Sequence, residues 1–255
     1  MKVLATILAL SLSALGQGAT WGGGAKPGGG AKFGGSGAVL APIVRNVANC
    51  GTGSVTNPTC TATYATAVAG EVLVDGEAWS TANSTSVGAP TGCSSTWTQV
   101  GTGYTDSTNG IEVAIYVGTV TSSGSCSVVL SGTSSGSSFI QHILYEWENA
   151  STTVDGGSGS GYNFNTVSCS SCTAPAVSPS VSNDAVMVFD TDWGFSGSVT
   201  VNSPFNADYS ANACGGNTNP CFGASDVPAG TGSLAATFSS SNFSANQVAV
   251  VALKP

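Results

Sequence analysis

From Ala38 to Pro255 no stretch sustains a helical period of apolar residues, while short β-branched or alternating runs punctuated by Gly, Ser, Asn and Pro recur throughout. Such a chain folds as strands. They are expected near 39–47, 59–66, 71–79, 96–104, 111–118, 125–130, 139–148, 185–192, 198–201, 234–238 and 247–253, with less regular runs near 162–167 and 207–210. That many strands without helices predicts an all-β fold. The length suits a large two-sheet β-sandwich of jelly-roll or Greek-key type.

The segment SFIQHILYEWE, Ser138 to Glu148, holds the only histidine and two of the 13 acidic residues. With the period of two that a strand imposes, Phe139, Ile143, Tyr145 and Trp147 share one face, and His142, Leu144, Glu146 and Glu148 share the other. The first face is core-like, and the second is where chemistry would sit.

Residues 1–18 read as a secretory signal: Lys2, an apolar run from Val3 to Leu15, then small residues. The run is too short to span a membrane, and no second run approaches spanning length. Residues 19–37 are glycine-dominated, with Gly-Gly-Gly-Ala-Lys at Gly22 and again at Gly28. They read as a flexible arm, with self-assembly through that arm as its functional alternative. Only Arg45 and Lys254 are basic beyond it, and the net charge is -8. Nucleic acid and anionic membranes are therefore not the expected partners, because both need clustered Lys and Arg. Few carboxylates on a polar, uncharged surface predict tolerance of mildly acidic surroundings.

The eight cysteines all lie in the exported part, which points to disulfides. Proximity favours Cys50 with Cys60, Cys169 with Cys172 and Cys214 with Cys221, leaving Cys93 with Cys126. The Cys-Ser-Ser-Cys at Cys169 sits in a Ser and Pro-rich loop, not at the helix start a redox pair uses.

GEVLVDGEAW from Gly70 and NDAVMVFDTDW from Asn183 echo one another, as if a Greek-key unit were used twice. Residues 38–255 are read as one domain, the alternative being two Ig-sized halves split near 151–161. The runs GEVLV, GIEVAIYVG, YEWENAS, NDAVMVF and QVAVVALKP together resemble a group of exported bacterial β-sandwich domains, broadly jelly-roll or lectin-like. The resemblance implies a fold and carries no catalytic signature.

Three acid-x-acid pairs stand out: Asp75 with Glu77, Glu146 with Glu148, and Asp190 with Asp192. Two residues apart on a strand, each pair shares a face at about 6.7 Å along it. Jelly-roll glycosidases use two such carboxylates with aromatic platforms. Glu146 is the candidate acid or nucleophile, with Glu148 or Glu112 as partner. Trp79, Trp97, Tyr116, Trp147 and Trp193, with His142, are the candidate ligand-binding residues. Solvated strand ends are the plainer reading of the acids. Asp190 and Asp192 could hold structural calcium, although the EF-hand Glu is missing; no other cofactor is expected. Gly132-Thr-Ser134-Ser-Gly136 matches a hydrolase elbow only in letters, since no helix is expected after it.

The expected function is a secreted, non-catalytic sandwich binding polysaccharide, a cell-surface glycan or another extracellular partner. The alternatives are a glycoside hydrolase or lyase built on Glu146, and a structural subunit of an extracellular assembly.

Overall fold

The computed structural model describes residues 39–167, 171–192, 200–211, 221–239 and 246–255. The expected signal and arm lie outside these residues, as do Cys169, Trp193 and Cys214. Val39–Pro255 forms one compact unit.

The first half contains β1 (Ile43–Gly51), β2 (Thr59–Ala67), β3 (Val72–Ser80), β4 (Ser86–Val87), β5 (Thr98–Gln99), β6 (Tyr104–Asp106), β7 (Ile111–Thr119), β8 (Gly124–Thr133) and β9 (Ile140–Glu148). The second contains β10 (Tyr162–Val167), β11 (Ser171–Thr173), β12 (Ala185–Asp192), β13 (Thr200–Val201), β14 (Asn206–Ala211), β15 (Cys221–Asp226), β16 (Thr237–Ser239) and β17 (Asn246–Leu253). The only helical turn among the described residues is a 3-10 turn at Ala82–Ser84. The fold is all-β and disulfide-braced.

The two halves correspond strand for strand. The large sheets run β1, β9, β3, β7, β5 and β10, β17, β12, β15, β14, and the small sheets run β2, β8, β4 and β11, β16, β13; β6 is an addition paired to β7. Within each half a small sheet covers one face of the large one, around Leu73, Leu144 and Val128 in the first half and around Val188, Phe222 and Phe238 in the second. The two large sheets then face each other across a shared core that includes Val74, Ile143, Tyr145, Trp147, Met187, Phe189 and Val251. The echo in the sequence marks β3 and β12, the middle strands of the two large sheets. Gly70 and Asn183, which precede them, both adopt positive φ, 91° and 65°. Glycine and asparagine are the residues that accept that backbone most readily.

Two differences from the sequence reading have local causes. The expected strand at 96–104 is broken into β5 and β6, because Gly101 and Gly103 turn the chain at φ of 64° and 72°. The buried strand β15, CFGASD, was not expected. Its small residues lack the β-branched signature, and Gly223 is where Tyr145 presses from the opposite sheet: a Cβ there would lie 2.4 Å from the Tyr145 hydroxyl.

Gly76 of β3 and Phe189 of β12 occupy corresponding positions and pack on one another. A Cβ at Gly76 would fall 2.6 Å from Cγ of Phe189, with Phe189 Cβ at 2.7 Å. Gly76→Ala is therefore expected to destabilise the fold by about 1–3 kcal/mol through overpacking. Urea unfolding of the variant checks this; an unchanged midpoint contradicts the packing.

Candidate functional site

The period of two in β3 sends Leu73, Asp75, Glu77 and Trp79 toward β2 and β8, and Val72, Val74 and Ala78 toward the second half. Both faces are covered, so Asp75 and Glu77 are enclosed and do not form a solvated edge. On β9, His142 is the register mate of Glu77, and Leu144 that of Asp75. His142 Nδ1 lies 2.9 and 3.0 Å from the two carboxylate oxygens of Asp75. Burial raises the Asp75 pKa, and the His142 ring opposes that rise. Burial, followed by the charge of Asp75, pushes Glu77 well above the usual carboxylate range. Burial beside Asp75 thus biases Glu77 toward its protonated form. Tyr64, reaching in from β2, has its phenol pushed well up by burial, with Asp75 and Glu146 adding to the effect.

β1 brings Cys50 opposite His142. The Cys50 and Cys60 sulfurs and the imidazole lie within 4.8 Å of one another. The two sulfurs are bonded to each other, so this cluster offers no thiolate to a metal. Cys93 and Cys126 are likewise paired. Cys172 and Cys221 are disulfide-bonded, and the partners expected for them, Cys169 and Cys214, lie outside the described residues.

The second half shows that the frame does not require this ladder. Aligning Gly70 with Asn183 places Val188 where Asp75 stands. Gln247 pairs with Thr191 as Gln141 pairs with Ala78, so Val248 stands where His142 does. Both valines are buried in the second-half core.

Glu146 lies on the same face of β9, farther along. Its Oε1 accepts from the Val68 backbone N–H at 2.7 Å, and its Oε2 accepts from Asn46 Nδ2. Arg45 Nε lies 2.7 Å from both Glu71 oxygens, and Arg45 Nη2 lies 2.7 Å from Glu148 Oε2. Burial raises the Glu71 pKa, Arg45 opposes this, and Glu146 adds to it. Glu146 is thus enclosed and engaged, and Glu148 is held by Arg45. The expected catalytic pair is thus divided between a buried acid held by Val68 and Asn46 and a partly exposed acid paired with Arg45. Glu112 is no partner either. It is the β7 register mate of Trp79, whereas Glu146 is the β9 mate of Leu73. Six residues of β3 separate those positions, about 20 Å, which exceeds the roughly 5–9.5 Å that glycoside hydrolysis uses.

The aromatic platforms need the same correction. Trp79, Tyr116 and Trp147 are buried, as is His142. Their alternation with apolar neighbours reflects a strand covered on both faces. Tyr145 and Trp147 stack on each other inside the shared core, with centroids 6.4 Å apart. Trp97 alone among the described platforms is half-exposed, and its Nε1 donates to the Gly92 carbonyl at 3.2 Å. Asp190 is buried on β12, and the Asp192 side chain lies outside the described residues. Ser134 sits in the loop between β8 and β9, where its hydroxyl donates to the Gly136 carbonyl at 2.8 Å; no helix follows, so it is not an elbow nucleophile.

A second acid pair escaped the sequence reading. Asp155 accepts from the Ser180 hydroxyl at 2.5 Å and lies 3.6 Å from Lys254 Nζ. Burial opposes ionisation of Asp155, but the bonds from Ser180 and the nearby Asp184 outweigh it and hold its pKa at about 2. Burial and the Asp155 carboxylate push Asp184 up to about 7. Asp184 corresponds to Glu71, the acid that opens the same motif in the first half.

Two predictions follow from these pairings. His142→Val alone removes the imidazole that bonds the buried Asp75 carboxyl group and is expected to cost about 1–3 kcal/mol. The double variant Asp75→Val, His142→Val copies the second half and should recover most of that loss. Urea midpoints at neutral pH decide the matter, and a double variant no more stable than the single one would overturn this reading.

The second prediction concerns pH. Asp184 binds its proton more tightly in the folded chain than at its ordinary value of 3.8. Its contribution to stability is therefore complete below about pH 4 and is lost as pH rises through about 7. Burial moves Glu71, Glu77, Glu112 and Asp226 in the same direction. Asp155 acts oppositely, but only as pH falls from about 4 toward about 2. Thermal unfolding is expected at a higher temperature near pH 5 than near pH 8, and Asp184→Asn should shrink the difference. A melting temperature that rises toward pH 8 would contradict the assignment.

Comparison of the chain with protein-family models, with curated proteins and with solved structures finds no match.

Proposed function

We propose that this chain is a secreted, non-catalytic double β-sandwich that serves as a durable structural or adhesive module at an extracellular surface. One observation carries the reading: the acid and base groups of β3 and β9 expected to do chemistry are enclosed between layers or engaged in ion pairs and hydrogen bonds. Asp75, Glu77, His142 and Glu146 are all buried, and Glu148 is bound by Arg45. Disulfide bracing and a surface with few charges fit a protein that persists outside the cell. No helix among the described residues is long and apolar enough to cross a membrane. Self-assembly through residues 19–37 belongs to this reading, as a route by which such a module joins a larger structure.

A second reading, glycan binding, draws on a cleft of about 420 Å³ lined by Cys93, Ser94, Ser95, Thr121, Ser122 and Ser125. Hydroxyl side chains suit the hydroxyls of a sugar, and Trp97 packs beside Ser94 along Gly118, where an added Cβ would lie 2.8 Å from Ser94 Oγ and 3.0 Å from Trp97 Cε3.

Incubating the purified mature chain with a panel of soluble and insoluble polysaccharides, with reducing-end release assayed in the same tubes, tests both readings. The structural reading expects no release and no retention. Retention that Trp97→Ala weakens tenfold or more would select glycan binding, and release of reducing ends from any polysaccharide would overturn the non-catalytic assignment.

A further inference from the structure

At one end of the shared core, Gln141 of β9 and Thr191 of β12 meet across the two large sheets. Their exposures are 0% and 2%. Gln141 Nε2 donates to Thr191 Oγ1. The meeting follows from the register of the whole fold. Phe189 lies over Gly76. Two residues farther along each strand come Thr191 and Ala78, and Ala78 is the register mate of Gln141. Both side chains lie on core-facing positions, Gln141 in step with Ile143 and Tyr145, and Thr191 in step with Met187 and Phe189. An alcohol and a carboxamide are thus held against each other between two rigid sheets.

We propose that Gln141 and Thr191 join in an intramolecular ester, formed by the folded chain on itself. Thr191 Oγ attacks Gln141 Cδ, the Cδ–Nε2 bond breaks, and the Cδ–Oγ bond forms. The hydroxyl proton passes to the departing nitrogen, which leaves as ammonia. Nothing is oxidised or reduced, and no co-reactant is needed. Fixing the two groups in contact replaces a bimolecular encounter by an effective concentration on the order of 10⁵–10⁸ M. Enclosure also keeps water from the ester once it has formed.

The duplicated fold contains its own comparison. Gln247 of β17 corresponds to Gln141, and Ala78 corresponds to Thr191, so the second glutamine faces a position with no hydroxyl. Gln247 instead donates to Asp106 Oδ2 at 3.1 Å, the same oxygen that accepts from the Thr166 hydroxyl at 2.8 Å. One cross-link is therefore expected, and not two. It would tie the two halves together, whereas Cys50–Cys60 and Cys93–Cys126 both lie within the first half. This inference does not depend on the function proposed above.

Intact mass spectrometry of the reduced, denatured mature chain, followed by peptide mapping, tests it without relying on any variant. The expected mass is one ammonia below that of the sequence, with the peptides carrying Gln141 and Thr191 found joined and released from each other by alkaline hydroxylamine. Thr191→Val should restore the full mass, and Thr191→Ser should keep the deficit. A wild-type chain of full mass overturns the proposal. So does an ammonia loss that maps elsewhere, such as a cyclised glutamine at a processed N-terminus.

Discussion

Coverage of both faces of the central sheet governs what its side chains can be. In most antiparallel sheets one face is solvated and polar residues take that side without cost. β3 has no such side, because the second half covers one face and β2 and β8 cover the other. Each carboxyl group on β3 must then find a partner or keep its proton. Asp75 does the first, through His142, and Glu77 does the second. The same rule reaches the sheet margins, where Glu71 and Glu146 gather around Arg45 and Asn46, and the start of β12, where Asp184 lies beside Asp155. Three buried acid pairs on one acidic chain make proton uptake part of its folded state.

The duplicated strand order makes the departures from symmetry informative. Two copies of one frame share a core, yet only the first carries a ladder of acids and an imidazole, and only the second carries a hydroxyl at the Thr191 position. Val188 and Val248 fill the sites of Asp75 and His142 with aliphatic carbon. The frame thus accepts either a hydrogen-bonded polar pair or an apolar pair there. Gly76 and Phe189 differ for a different reason. The two positions face each other across the shared core, so a large side chain on one strand requires none on the other.

Much of this architecture was legible in the sequence. Punctuated β-branched runs gave the large strands, proximity gave Cys50–Cys60 and left Cys93 for Cys126, and the echo between Gly70 and Asn183 marked the duplicated middle strands. What escaped was the third dimension. An acid-x-acid pair looks the same on a strand rim as on a strand with both faces covered, so Asp75, Glu77 and Glu146 read as exposed chemistry. Trp79, Tyr116 and Trp147 read as platforms for the same reason. β15 was invisible because Cys-Phe-Gly-Ala-Ser-Asp is chosen for the small volume that Tyr145 leaves it, and not for strand propensity. The meeting of Gln141 with Thr191 depends on how two sheets register, and period-two patterns within one strand do not encode that.

The position of β17 has a consequence for how the chain reaches this state. The last strand lies inside its sheet, between β10 and β12, so the second half cannot close until residues 246–253 arrive. A chain emerging N-terminus first can assemble its first half while the second is still incomplete. During that interval Val74, Ile143, Tyr145 and Trp147 form a bare apolar wall with no sheet to meet it. A neighbouring chain at the same stage presents the same bare apolar wall. The fold therefore has a vulnerable window whose duration is set by delivery of β17, and crowding of partly made chains is where mispairing between them would begin.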